Sequence, residues 1–308
     1  MSTAQAAWGE IQIDAPADAV YAALTDANQL VSWFSEHADV ALSDGRYEFW
    51  GRFTPDATER DRQRIANVVT APGEQLSYSW TLFGCDTLVR LSLQPAEGGT
   101  RVIVDHAGLA FERPWLLEMF WSMALENLRA WVERGETGYR SDYSRRYAGD
   151  IRFDIELDAS QEAVFAALVE PEQLRRYMSD NPIVEPVVGG RIDLGWGDDG
   201  PVEILALDPP TTLRYAWANI DEGVRTTVTW SLAGSGGKTR LTLMHSGFGA
   251  ERDTTGFTNG WLDYLNRIRF MSEVGSSWRK PDIELIPPQE RERRAQARCG
   301  PVGAGNRA

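Results

Sequence analysis

The most informative feature of this chain is an internal repeat. Residues 11–24 read IQIDAPADAVYAAL, and residues 155–168 read IELDASQEAVFAAL. Three more matched blocks follow in the same order: residues 76–80 with 213–217, 100–109 with 239–248, and Trp121 and Leu125 with Trp261 and Leu265. Four matched blocks in one order predict two tandem copies of a single domain. The length of 308 residues is sufficient for two such domains, each with its own core.

Each copy shows the same succession of local patterns. A strand with alternating apolar residues is predicted over 8–14 and 150–157, followed by a short helix that begins near Pro16 and Ser160. Five strands follow, near 45–54, 64–71, 75–81, 86–94 and 99–108 in the first copy, and near 190–196, 201–208, 212–218, 224–233 and 238–246 in the second. A long helix closes each copy, over 114–134 and 253–275. Meandering strands with helices on one face predict an α+β fold.

These patterns also set the domain limits. We predict a first domain over residues 8–138, a linker over 139–149, a second domain over 150–279 and a flexible tail over 280–308. The tail is assigned from its prolines and from its Arg- and Gly-rich end. Its arginines alternate with glutamates, which predicts a solvated end rather than a binding patch.

Charge and cysteine content exclude several classes of function. A net charge of -14 argues against nucleic acids and anionic membrane surfaces as partners. The two cysteines, Cys85 and Cys299, cannot form a disulfide framework, so a cytoplasmic location is expected. Residues 1–9 show no signal-peptide pattern, and no apolar run reaches the ~18 residues of a membrane span. No metal-ligand spacing and no cofactor-binding motif is found, so neither a metal nor a cofactor is predicted.

Several short motifs resemble one known family. They are residues 15–21 (APADAVY), 30–34 (LVSWF), 45–49 (GRYEF), 76–80 (LSYSW), 99–101 (GTR) and 106–108 (HAG). In this order they resemble the SRPBCC or START-like superfamily, and within it the branch called activator of Hsp90 ATPase homologue 1-like. The second copy is looser, because Ser160 replaces the proline and Tyr177-Met178 replaces Trp-Phe. The resemblance implies two tandem helix-grip domains, each an antiparallel curved sheet wrapped on a long C-terminal helix.

The resemblance also implies a function. Members and relatives hold diverse ligands in a cavity between the sheet and the C-terminal helix, and they include lipid carriers, plant hormone receptors, aromatic polyketide cyclases and the calicheamicin self-resistance protein. We therefore expect a binding protein that sequesters a small hydrophobic or aromatic molecule, in natural-product self-resistance or biosynthesis. An enzyme of the polyketide cyclase or aromatase type is the alternative, and a partner of an Hsp90-type chaperone is a third interpretation.

Strand parity predicts which side chains face this cavity. In the last strand of each copy, His106 and His245 share the apolar face, whereas Asp105 points the other way. The same parity, extended to the other strands and the long helices, gives the remaining ligand-binding candidates: Tyr47, Phe49, Tyr78, Trp80, Val89, Leu91, Trp121 and Leu125 in the first copy, and Tyr215, Trp217, Trp230 and Trp261 in the second. An apolar lining with a few polar groups is typical of a small-molecule pocket. A filled aromatic core is the alternative interpretation.

Two roles are open for His106 and His245. Each could orient a ligand or act as an acid or base near neutral pH, or each could hold the loop before the final helix. No partner acid or nucleophile can be placed beside His106, so no catalytic residue is assigned. The two copies differ where Leu91 corresponds to Trp230 and Gly51 to Trp196. The extra indole bulk predicts that the first domain has the larger pocket.

Overall fold

The structure is a computed structural model that describes residues 5–62, 64–197, 199–219 and 224–298. The chain divides into two units, the first comprising Met1–Ser144 with Pro281–Ala308 and the second Arg145–Lys280. Each unit runs through the same order of elements, so the tandem α+β fold predicted from the repeat and the helix-grip form implied by the family resemblance are confirmed.

The first unit opens with a strand, two short helices and a separate hairpin, and it continues into a meander closed by a long helix. Its elements are β1 (Gln5–Ile13), α1 (Ala17–Thr25), α2 (Ala27–Trp33), β2 (His37–Ala41), β3 (Arg46–Trp50), β4 (Ile65–Ala71), β5 (Gln75–Leu82), β6 (Cys85–Ala96), β7 (Gly99–Leu109) and α3 (Trp115–Arg134). Strands β4 to β7 and β1 form an antiparallel sheet in the order β1-β7-β6-β5-β4, while β2 pairs only with β3.

The second unit repeats this plan. Its elements are β8 (Ile151–Leu157), α4 (Gln161–Val169), α5 (Pro171–Tyr177), β9 (Ile183–Val184), β10 (Ile192–Asp193), β11 (Asp199–Asp208), β12 (Thr212–Asn219), β13 (Val224–Ser235), β14 (Lys238–Ser246) and α6 (Thr255–Val274). The sheet order β11-β12-β13-β14-β8 corresponds to that of the first unit. Neither sheet closes into a barrel.

Local sequence explains where the helices begin and end. The Asp26 carboxylate accepts a hydrogen bond from the amide of Gln29 at 3.0 Å and caps α2. The Ser160 hydroxyl does the same for α4 by accepting from the amide of Ala163 at 3.2 Å, as its position predicted. Helix α3 ends at Gly135, whose positive φ of 68° suits a residue without a side chain.

The repeat keeps one buried hydrogen bond while changing the residue that makes it. In the first unit, Nε1 of Trp33 donates to the carbonyl of Ala23 at 2.9 Å. In the second unit, the hydroxyl of Tyr177 donates to the carbonyl of Ala167 at 3.2 Å. Both donors are buried at the end of the second short helix and tie it to the first. The Trp-to-Tyr change in the looser second copy therefore preserves the packing of the helix pair.

The C-terminal segment differs from the flexible tail expected over 280–308. Residues Asp282–Ile286 form β15, which pairs with β1 and extends the first sheet to six strands, and Pro288–Arg298 form α7. Ile286 packs in an apolar cluster with Ala6, Trp8 and Ile103, on the sheet face opposite α3. The expectation was wrong for these residues because an apolar strip on the outer face of β1 and β7 provides a surface for them to cover. Residues 299–308 lie outside the described residues.

Two shorter segments also differ from the sequence interpretation. Strand β2, in which His37 lies opposite Trp50 of β3, is absent from the predicted strands, because five residues of mixed polarity give too weak an alternation to detect. In the second unit, the strand expected over 190–196 is limited to Ile192–Asp193. Gly195 and Gly197 follow with φ of 73° and 75°, which turns the chain out of the extended conformation.

Candidate functional site

In the first unit, the predicted cavity residues do lie between the sheet and α3, but the rings among them pack against one another. All nine of them are buried: Tyr47, Phe49, Tyr78, Trp80, Val89, Leu91, His106, Trp121 and Leu125. The centroid of the Phe49 ring lies 5.2 Å from that of Trp80 and 5.9 Å from that of Tyr78. The Trp80 ring in turn stacks on the His106 imidazole at 5.7 Å with an interplanar angle of 11°. Contacts of this kind make an aromatic core, so a cavity role for these residues stays a prediction.

The second unit has the same arrangement of rings. Tyr215, Trp217, Trp230, His245 and Trp261 are buried. The ring centroid of Trp261 lies 5.5 Å from that of Trp217 and 5.6 Å from that of Trp230, and Nε1 of Trp230 donates to the hydroxyl of Tyr215 at 3.1 Å. The space between sheet and helix is again occupied by aromatic side chains that contact one another.

Each buried histidine is held by a tryptophan of the long helix and a threonine of the neighbouring strand. In the first unit, Nε1 of Trp121 donates to Nδ1 of His106 at 3.0 Å, and Nε2 of His106 lies 2.8 Å from the hydroxyl of Thr87. Because Nδ1 accepts, the neutral ring carries its proton on Nε2 and donates it to Thr87. The Thr87 hydroxyl then donates to the carbonyl of Trp80. We call this arrangement the Trp–His–Thr network.

The second unit contains the same network. Nε1 of Trp261 donates to Nδ1 of His245 at 3.1 Å, and the hydroxyl of Thr226 lies 2.7 Å from Nε2. The sequence analysis missed both threonines. A signal was present, since threonine precedes histidine by the same 19 positions in each copy. Its meaning depends on the pairing of adjacent strands, which sequence parity alone does not reveal.

Burial fixes the protonation state of these side chains. It lowers the pKa of both His106 and His245 from 6.5 to about 3, so each ring is neutral at physiological pH. Burial also raises the pKa of Tyr78 well above its ordinary value, and those of Tyr47 and Tyr215 rise for the same reason. With both ring nitrogens of His106 already bonded, the network is suited to hold the sheet to the helix rather than to move protons.

A pocket lies on a different face of α3, within the first unit. Half of its lining residues are aromatic, and the lining comes from the end of α2, the segment after β3, one face of α3 and the segment after α3: Trp33, Phe34, Phe53, Phe120, Met123, Ala124, Asn127, Arg140, Ser141 and Tyr143. We call it the α3 pocket. It contains about 250 Å³ of empty space when its mouth is included, of which about 20 Å³ admits the centre of a water-sized sphere.

The residues after α3 are fixed in place by one buried asparagine. The side-chain nitrogen of Asn127 donates to the carbonyl of Tyr139 at 3.1 Å, and its oxygen accepts from the amide of Gly138 at 2.5 Å. Further along, the amide of Tyr143 donates to the carbonyl of Arg52 at 2.6 Å. Part of the segment predicted as a linker is therefore anchored at both ends and forms one wall of the α3 pocket.

Arg140 lies in this anchored segment at the mouth of the α3 pocket. Its guanidinium carbon is 3.9 Å from the centroid of the Phe53 ring, and its Nη1 donates to the carbonyl of Ser35 at 3.1 Å and to that of Val31 at 3.4 Å. Burial, and secondarily the nearby Arg52, lowers the pKa of Arg140 to about 10, while Glu36 opposes this shift. The side chain is still cationic at neutral pH. Its place in a predicted linker gave the sequence analysis no reason to single it out.

In the second unit, a bulky ring takes the place of the Ala124 methyl group that lines the α3 pocket. The repeat aligns Trp121 with Trp261, and by the same offset Ala124 aligns with Tyr264. The ring of Tyr264 stacks on that of Trp196 at 5.5 Å and 20°. Where the first copy has a methyl group facing the α3 pocket, the second has a phenol ring against an indole. This bulk supports the expected difference between the copies, and the comparison of their cavity volumes stays a prediction.

Two kinds of site do not occur in the described part of the chain. No group of three or more His, Cys, Asp or Glu side chains there is arranged to hold a metal ion. None of the helices described is long and apolar enough to cross a membrane.

The fold and the repeated network define a protein with two tandem helix-grip units. The family model for activator of Hsp90 ATPase homolog 1-like proteins matches residues 14–133 and again 158–273. The chain therefore belongs to this family, and the family resemblance seen in the sequence is confirmed. None of the curated proteins matches the chain.

Three solved structures similar to this chain share little sequence with it. MLL2253 from Mesorhizobium loti is 24% identical, with a TM-score of 0.35, over 39% of this chain and 93% of its own. CalU16 from Micromonospora echinospora is 23% identical, also with a TM-score of 0.35, over 40% of this chain and 84% of its own. DynU16, from the dynemicin biosynthetic locus, is 17% identical with a TM-score of 0.34 and spans both repeats, covering 87% of this chain and 98% of its own.

Proposed function

We propose that this protein binds small molecules and that its first unit holds a small aromatic molecule in the α3 pocket. The observation that carries the proposal is the lining, which combines a few polar groups with five aromatic rings. The rings are those of Trp33, Phe34, Phe53, Phe120 and Tyr143. Such a lining is typical of small-molecule sites. The proposed site therefore lies on a different face of α3 from the one predicted by strand parity, which is the face toward the sheet.

The α3 pocket has side chains that can adjust to a guest. Phe53 and Tyr143 are only partly buried, and Met123 is the most adaptable apolar side chain in the lining. A single aromatic ring needs more room than the water-sized interior provides, so binding requires these side chains to move apart. The rigid part of the site consists of the buried rings of Trp33 and Phe34.

The geometry favours binding over proton transfer. An enzyme of the cyclase type needs an acid or base that titrates near neutral pH and reaches its substrate. The pKa of His106 is lowered and that of Tyr78 raised, and both side chains are fully buried. We extend the proposal to the handling of an aromatic natural product in the cytoplasm, in biosynthesis or self-resistance. Native mass spectrometry of protein purified from its own source tests this extension by detecting a carried ligand.

The binding test uses naphthalene-2-carboxylate and naphthalene-2-carboxamide as probes. At roughly 0.3 kcal/mol per non-hydrogen atom, the carboxamide is expected to bind with a Kd of about 1 mM and the carboxylate at least as tightly, which ligand-observed NMR detects. Ala124→Tyr installs the ring that the second copy carries and is expected to abolish binding. Ala19→Tyr makes the same change at an exposed position of α1 and should bind like the wild type. Unimpaired binding by the folded Ala124→Tyr variant would refute the proposed location.

A further inference from the structure

Arg140 is a partly buried cation that forms no ion pair with the carboxylates of the described residues. Its hydrogen bonds go to two backbone carbonyls, and its guanidinium stacks on Phe53. Among the described residues, no carboxylate lies within 4.0 Å of it. Removing a charge from water is costly unless an opposite charge compensates for it. A position of this kind is stabilised by any anion that enters beside it.

The carboxylate of Glu36, whose charge acts on Arg140, is already occupied. Both oxygens of Glu36 contact Arg52, one accepting from its backbone amide at 2.9 Å and the other lying 3.2 Å from its Nε. The guanidinium of Arg52 also lies over the Phe53 ring, at 4.8 Å from its centroid. Two arginines and one glutamate thus meet at the mouth of the α3 pocket, which leaves an excess of one positive charge there. This excess stands out in a chain whose net charge is -14.

The geometry of the guanidinium suits a carboxylate. Nη1 is committed to the carbonyls of Val31 and Ser35, which fixes the orientation of the planar group. Nε and Nη2 have no acceptor among the described residues. These two donors form the edge that binds a carboxylate through two parallel hydrogen bonds. The guanidinium also lies close to the aromatic lining, since Arg140 and Phe120 line the same pocket and the Arg140 guanidinium carbon is 3.9 Å from the centroid of the Phe53 ring.

We propose that Arg140 makes the α3 pocket selective for small aromatic anions, in particular aryl carboxylates. The ring enters among Phe34, Phe53 and Phe120, and the carboxylate pairs with Nε and Nη2 of Arg140. This inference rests on the proposed function, because it names the ligand class of the same pocket. It goes further by assigning the selectivity to one side chain in the segment that joins the two repeats.

The experiment compares the same two probes, which share a ring system and differ in charge. The wild-type protein is expected to bind naphthalene-2-carboxylate about tenfold more tightly than naphthalene-2-carboxamide at low salt, with a smaller difference at high salt. In Arg140→Met, the two probes should bind equally, at the wild-type affinity for the carboxamide. Arg140→Lys should retain part of the preference, because it keeps the charge without the planar fork.

The control is Arg101→Met, which removes the same charge from an exposed position on the outer face of the first sheet. It should leave the preference unchanged, and thermal unfolding should confirm that all variants are folded. Equal affinity of the wild type for both probes would overturn the inference and leave the proposed function standing. A preference that persists in Arg140→Met would overturn the role of Arg140. If neither probe binds, both proposals are wrong.

Discussion

Nε1 of Trp121 donates a hydrogen bond to Nδ1 of His106 and thereby joins the long helix of the first unit to the last strand of its sheet. The equivalent bond joins Trp261 to His245 in the second unit. Since each imidazole also contacts a threonine of the adjacent strand, both of its nitrogens are used within the fold. These histidines therefore act as structural links between helix and sheet, and the ligand site that we propose, the α3 pocket, does not include them.

The first prediction concerns the pH dependence of stability. The folded pKa of each buried histidine, about 3, lies below the unfolded value of 6.5, so the unfolded state binds more protons between these values. Stability is therefore complete above pH 6.5 and decreases as the pH falls toward 3. We expect each histidine to contribute a loss of about 2 kcal/mol between pH 7 and pH 5. Urea unfolding followed by tryptophan fluorescence at each pH measures this loss.

His106→Gln should reduce the pH dependence of the first unit over the same range, whereas His37→Gln, at an exposed position, should not change it. Exposed carboxylates such as Asp39 and Asp154 have lowered pKa values and lose their contribution at lower pH, below their unfolded pKa of about 4. A free energy of unfolding that is constant from pH 7 to pH 5 would contradict the neutral state of the two buried histidines.

The second prediction concerns the threonine of the network. Thr87→Val replaces the hydroxyl with a methyl group of similar size and leaves the Nε2 proton of His106 without an acceptor. The cost of such a buried unpaired donor is about 1–3 kcal/mol, measured as the loss in free energy of unfolding. Thr87→Ser should restore most of the stability, because it returns the hydroxyl. A Val variant as stable as the Ser variant would show that the hydrogen bond contributes nothing.

The third prediction concerns the C-terminal helix. Arg291 makes two hydrogen bonds to the buried carboxylate of Asp105, at 2.7 and 2.9 Å. Arg291→Met should destabilise the first unit by about 1.5–3 kcal/mol, since the bonds involve charged groups. Arg293→Met removes an exposed pair with Glu290 and should cost less than about 1 kcal/mol. Denaturant unfolding compares the two variants, and equal effects would show that the Arg291–Asp105 pair does not hold α7 to the first sheet.

Much of this architecture could be predicted because it depends on patterns within short stretches of the sequence. The repeat gave the two units, and period-two alternation placed His106 on the face toward α3 and Asp105 on the opposite face. The packing of the C-terminal segment on that opposite face could not be predicted. It depends on a pairing between β1 and residues 282–286, which lie far apart in the chain.

The location of the pocket could not be predicted for a related reason. Almost every residue of α3 from Leu117 to Ala130 is buried, so the helix has two packed faces rather than one apolar stripe. The sequence analysis selected the stripe that contains Trp121 and contacts the sheet. The other face, with Phe120 and Ala124, meets a segment whose sequence is typical of a linker, and this segment is held by hydrogen bonds to Asn127 and to Arg52 that the sequence does not reveal.

The binding of an aromatic anion in the α3 pocket is tested most directly by the methyl resonances of the methionines. The chain has six methionines, of which Met123 is the one that lines the pocket. Titration of protein labelled at the methionine methyl groups with naphthalene-2-carboxylate should shift the Met123 signal strongly, through the ring current of the bound probe. Met178, Met244 and Met271, in the second unit, should not move. Shifts confined to those three, or a Met123 signal unchanged at saturation, would contradict the account.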